Sequence, residues 1–128
     1  MAIRIVRLGS PRAPGEGLRI GTVRRPPRGV PKAQFASRDF FDVWYPVLAP
    51  TEELLHQAQS VHDEKNWKRF ARRFMAEMKE QCPSRTLDLL AALSHSTSLS
   101  VGCYCADESR CHRSLLRELL TVRSAAIL

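Results

Sequence analysis

What most constrains this chain lies near its C-terminal end, where an apolar strand runs almost directly into a helix. Leu99-Ser100-Val101-Gly102-Cys103-Tyr104-Cys105 is a short apolar run. A polar loop follows, and from about Cys111 the residues Leu115, Leu116, Leu119 and Leu120 recur at helical spacing. A strand that feeds a helix over so few residues is half of a parallel crossover unit, because antiparallel strands are joined by hairpins instead. Two more strands are predicted upstream. Residues 3–8 alternate β-branched side chains with Arg, and residues 18–24 repeat the pattern until Pro26 and Pro27 cut it off.

Residues 9–17 and the stretch through Pro50 are read as loops, the second with one or two short helical turns, and from Thr51 the period is helical. Thr51 caps a predicted helix over residues 51–61, with Glu52 and Glu53 placed well against the macrodipole. Asp63 caps another over 63–81, in which Trp67, Phe70, Ala71, Phe74, Met75 and Met78 form one apolar stripe, expected to be core. Further helices are predicted over 84–95 and 111–123. Cys82, beside Pro83 at a helix end, is expected to serve packing. The fold class that follows is α/β: a small, mostly parallel sheet of three or more strands with helices packed on it. A chain of 128 residues is expected to be one domain, 1–128.

With 44% hydrophobic and 26% charged residues the chain has a globular composition. No apolar run approaches the roughly 18 residues that span a bilayer, so no membrane partner is expected. The first residues lack the continuous apolar stretch of a signal peptide, which argues for a cytoplasmic location. Net charge is +7, and residues 1–50 hold nine basic side chains against three acidic. Such an excess attracts phosphorylated ligands, nucleotides or nucleic acid. No helix-turn-helix, zinc-finger or RNP-like signature accompanies it.

Chemistry concentrates in Cys103-Tyr-Cys-Ala-Asp-Glu-Ser-Arg-Cys-His-Arg113. Cys111, at a helix start between Arg110 and the pair His112 and Arg113, sits where a thiol is expected to ionise easily. It is the candidate nucleophile, with His112 or Asp107 as acid or base. Other motifs fit less well. Cys111 to Arg117 has the Cys-x5-Arg spacing of a phosphatase loop, but no Gly lets that loop leave the helix. Cys105 to Arg110 has a rhodanese-like spacing, but Asp107 and Glu108 would repel an anion. Cys103, Cys105, Cys111 and His112 are the right types for zinc. Their cramped spacing on one loop argues against it, so no metal and no cofactor are expected, and Cys103 and Cys105 are read as buried thiols.

The run Cys105-x5-Cys111-His112-Arg113-Ser114-Leu115-Leu116 resembles the C-terminal signature of the domain-of-unknown-function family 488. Val23-Arg24-Arg25-Pro26-Pro27-Arg28-Gly29 resembles the other signature of its YeaO-like branch, with Val23 in place of an acid and Pro26 in place of Trp. The resemblance implies a small α/β fold in which the two signatures meet. Arg24, Arg28, Cys105 and Arg113 would then bind a phosphate-sized anion beside the last helix. The expected ligand is a phosphorylated small molecule or nucleotide; the other class is a nucleic-acid-binding accessory protein without catalytic activity, using the basic N-terminal half and the face of Lys68, Arg69, Arg72 and Arg73.

Overall fold

A computed structural model describes residues 1–57 and 63–128. Four strands, β1 (Ile3–Arg7), β2 (Leu18–Gly21), β3 (Val43–Trp44) and β4 (Leu99–Cys103), form one sheet in the order β1-β4-β2-β3. Every pairing is parallel. Four helices pack around it: α1 (Glu52–Gln57), α2 (Glu64–Glu77), α3 (Gln81–Leu93) and α4 (His112–Thr121). β4 is buried along its whole length, as a central parallel strand covered on both faces must be.

Local chemistry sets the helix starts. The Thr51 hydroxyl accepts from the Leu54 amide at 3.3 Å, and Asp63 accepts from that of Asn66 at 2.8 Å. Residues 58–62, on which the end of the first predicted helix falls, lie outside the described residues. The elements differ from the sequence reading at several places: α2 ends at Glu77, β4 at Cys103 and α4 at Thr121. β2 stops at Gly21, so Arg24 lies in the following turn. α3 begins at Gln81 and carries Pro83 in its first turn, where a missing N–H costs nothing. Cys82 therefore opens a helix, and it is exposed rather than packed. β3 arises within a stretch read as loop; Trp44 Nε1 donates to the Val23 carbonyl at 2.9 Å and fixes it against β2.

The main core joins Ile3, Ile20, Leu99 and Val101 of the sheet to Phe70 and Phe74 of α2, Leu87 and Leu90 of α3, and Leu116 and Leu120 of α4. Each such side chain contributes about 1.5–3 kcal/mol on burial. By strand alternation Arg19 and its register partner Ser100 face the other way. There Arg19 is wholly buried. Its Nε and Nη2 donate to Glu16 at 2.7 and 2.9 Å, and its Nη1 to the Ser10 and Asp39 carbonyls at 2.8 and 2.7 Å. Glu16 also accepts from the Ser100 hydroxyl at 2.8 Å and the Ala13 amide at 3.1 Å. Gly17 makes this turn possible: its φ is +80°, and a Cβ would lie 1.9 Å from the Ser98 carbonyl oxygen. Among the described residues no helix is long and apolar enough to cross a membrane.

Candidate functional site

β2 and β4 are neighbours, and Gly21 pairs with Gly102 at their carboxyl ends. The chain leaving β2 is the arginine-proline turn, and the chain leaving β4 is the cysteine loop. Between them and the first two helices opens a cavity of about 660 Å³. This is where open parallel sheets place ligands.

The cavity walls are mostly apolar: Val23, Pro26, Pro27, Phe40, Leu55, Trp67, Phe70 and Tyr104. Trp67 stacks on Phe70 with centroids 5.6 Å apart. Arg24, Arg25, Arg28 and Arg110 add cationic groups to the lining. Three of them are committed. Arg24 donates from Nε to Pro50 O at 2.9 Å and from Nη2 to Pro46 O at 3.0 Å, anchoring the segment before α1. Arg25 pairs with Glu52. Arg110 pairs with Glu64 at 2.6 Å and lies 5.8 Å above the Trp67 ring. Arg28 is exposed and makes no hydrogen bond or ion pair among the described residues.

Cys103, Cys105, Cys111 and His112 complete the lining. Cys103 and Cys105 sulfurs lie 3.7 Å apart, and Cys111 Sγ lies 3.8 Å from His112 Nδ1. Ligand atoms of Cys103, Cys111 and His112 all fall within 4.8 Å of one another. Cys111 is the extended residue capping α4, and both it and Cys103 are buried; Cys105 is exposed. The other ring nitrogen of His112 contacts the Thr22 carbonyl at 2.6 Å. A carbonyl only accepts, so Nε2 carries the proton. Thr22 also bonds Gly102, which ties the arginine turn, β4 and α4 together.

The sequence profile DUF488-N3a, described as the active DUF488-N3 subclade, matches residues 3–124. The chain belongs to this family. Comparison with curated proteins and with solved structures returned no match.

In this DUF488-N3a protein the thiols are not equivalent. A hydrogen bond from Cys103, then one from Cys111, pull the Cys105 thiol well below its ordinary range, and the positive charge of Arg113 helps. Hydrogen bonding to Cys105 and Cys111, then burial, push Cys103 far up. Cys111 was expected to be lowered, and the structure reverses this. Its bond with Cys103 lowers it, but its bond with Cys105 and its burial outweigh that, and the net direction is up. Burial holds His112 down at about 4, against the Thr22 bond, so the ring is neutral near pH 7. Cys105 was also expected to be buried; the loop turns it outward because the strand ends at Cys103.

Of the residues singled out from sequence, Arg24, Arg28, Cys105, Cys111 and His112 meet around the cavity, and Asp107 and Arg113 do not line it. The Asp107 carboxylate is exposed and accepts from the amide and hydroxyl of Ser109 at 3.0 and 2.7 Å. Arg113 is buried behind the loop, with Nη2 donating to Cys105 O at 2.6 Å and Nε without a partner among the described residues. Arg117 holds Glu108 at 2.8 Å, away from any phosphatase-like arrangement. Sequence reasoning missed Phe40, Trp67, Phe70 and Tyr104 as cavity walls. Trp67 offered the one available signal, being too large for the end of a stripe that covers a small core.

Proposed function

We propose that this DUF488-N3a protein binds a phosphorylated small molecule of nucleotide class in the cavity and presents its thiol cluster to it. The observation that carries this is the meeting of both signatures around one aromatic-walled cavity. Aromatic faces suit a base or similar flat ring. The uncommitted guanidinium of Arg28 suits the phosphate. Cys105, exposed and lowered, is the group that meets the ligand, with Cys111 and His112 behind it. The description of the subclade as active accords with chemistry at this floor.

Calorimetric titration with AMP, ADP, adenosine and inorganic phosphate tests it. The phosphorylated nucleosides are expected to bind roughly tenfold or more tightly than adenosine, and Arg28→Ala to remove most of that difference. No binding of any mononucleotide at millimolar concentration sinks the proposal. A second reading rests on α2, whose exposed Lys68, Arg69 and Arg72 make no ion pair or hydrogen bond among the described residues. Were a single-stranded oligonucleotide alone to bind, steeply weakened by salt and by charge reversal at these three positions, that surface would be the functional one.

A further inference from the structure

We propose that Cys103, Cys111 and Nδ1 of His112, whose ligand atoms all lie within 4.8 Å of one another, form a divalent metal site of the zinc class, with Cys105, 3.7 Å from Cys103, as its outer fourth ligand. The cramped sequence spacing argued against one, but the loop folds back so that ligands from the end of β4 and the start of α4 converge. Zinc–sulfur bonds of about 2.3 Å set tetrahedral ligand sulfurs about 3.8 Å apart. Cys103 and Cys105 are separated by 3.7 Å, and Cys111 stands 3.8 Å from the imidazole nitrogen. Sulfur and imidazole donors select zinc-like cations over magnesium or calcium.

The surroundings fit as well as the ligands. A metal-binding imidazole normally donates its far N–H to a carbonyl or carboxylate, and His112 donates to Thr22 O at 2.6 Å. That leaves the Nδ1 lone pair beside the sulfurs. Arg113 supplies the second, independent observation. It is a buried guanidinium with no ion-pair partner among the described residues and an unpartnered Nε, held against the carbonyl of Cys105. Three thiolates and an imidazole around a dication carry one net negative charge. A cation buried beside that cluster is then compensated. Binding is balanced by protons: each coordinating thiol releases one to solvent, up to three per metal. Cys105, the exposed ligand, closes the site on the cavity side.

The inference does not rest on the nucleotide reading. Protein purified without chelator is expected to hold one zinc per chain by elemental analysis. Exchange into cobalt(II) should give the intense d–d bands of a tetrahedral site and a thiolate charge-transfer band. Unbuffered zinc titration of the stripped protein should release two to three protons. Cys103→Ser and Cys111→Ser should lose the metal, Cys105→Ser should keep one bound roughly tenfold more weakly, and Cys82→Ser should be unaffected. If the first two fail to fold, the wild-type cobalt spectrum and proton count decide. Substoichiometric metal after micromolar zinc, an octahedral cobalt spectrum, or a Cys103–Cys105 disulfide in the purified protein overturns it. Nucleotide titration of the zinc-loaded protein keeps the two proposals apart: full metal without nucleotide binding sinks only the first.

Discussion

Arg19 and Arg113 are both buried arginines, and their surroundings could hardly differ more. Arg19, on the non-helical side of β2, spends every guanidinium nitrogen: two on Glu16, one on two backbone carbonyls. Arg113, in the first turn of α4, donates to one carbonyl, and its Nε has no partner among the described residues. Burying a charge costs several kcal/mol unless partners satisfy it. The first arginine is therefore part of the scaffold. The second is held in place for something besides stability, and it stands beside the thiols and the cavity.

Removing each cation separates these roles most sharply. Arg19→Met leaves Glu16 buried and unpaired, and is expected to cost about 3–5 kcal/mol in urea unfolding. Arg113→Met strands no carboxylate and should cost less than about 1.5 kcal/mol. Equal losses would erase the distinction.

Acid should attack the scaffold pair next. Burial raises the Glu16 carboxyl, but hydrogen bonds from Arg19, Ala13 and Ser100 outweigh it and hold the group at about 2, below the ordinary 4.5. A depressed folded value means the stabilisation is complete above pH 4.5 and is lost as pH falls from 4.5 towards 2. The loss should be on the order of 3 kcal/mol, and Glu16→Gln should flatten that part of the profile. A profile unchanged by the substitution would place acid sensitivity elsewhere.

At the other cluster the sharper measurement is reactivity. Cys82 and Cys105 are both exposed. In chelator-stripped protein near neutral pH, Cys105 should be alkylated roughly tenfold faster, resolved by mass spectrometry. Slower reaction than Cys82 would mean that the sulfur triangle does not favour its thiolate. The smallest effect is reserved for Arg25→Ala. Its pair with Glu52 lies in solvent, so the unfolding midpoint should not move measurably.

Much of the scaffold was legible in sequence. β1, β2 and β4 announced themselves by alternation or by apolar runs, and α2 by a stripe that needs no tertiary help. β3 was not, because two exposed residues held by a Trp44 side-chain bond leave no periodic trace. The Glu16–Arg19 pair was hidden for a similar reason. An arginine between Leu18 and Ile20 reads as outward-facing unless the loop that covers that face is known. The site was legible as a meeting of two signatures but not in its chemistry. Adjacent sequence positions said that Cys111 would carry the charge. What decides otherwise is its burial and the approach of Cys105, neither of which linear spacing encodes.

The strand order has a consequence for how the molecule comes into being. β4 is made from residues 99–103 yet lies between β1 and β2, so neither of those strands contacts the other and each waits for it. During synthesis the first half of the chain can form only the two-residue pairing of β2 with β3. Its edges stay unpaired until most of the polypeptide has emerged, the interval in which such a chain is most open to misassembly. Closure then happens in one late event. Because β4 ends in Cys103, the insertion that completes the sheet also delivers the thiols to the arginine turn, and a half-built molecule has no site to misfire.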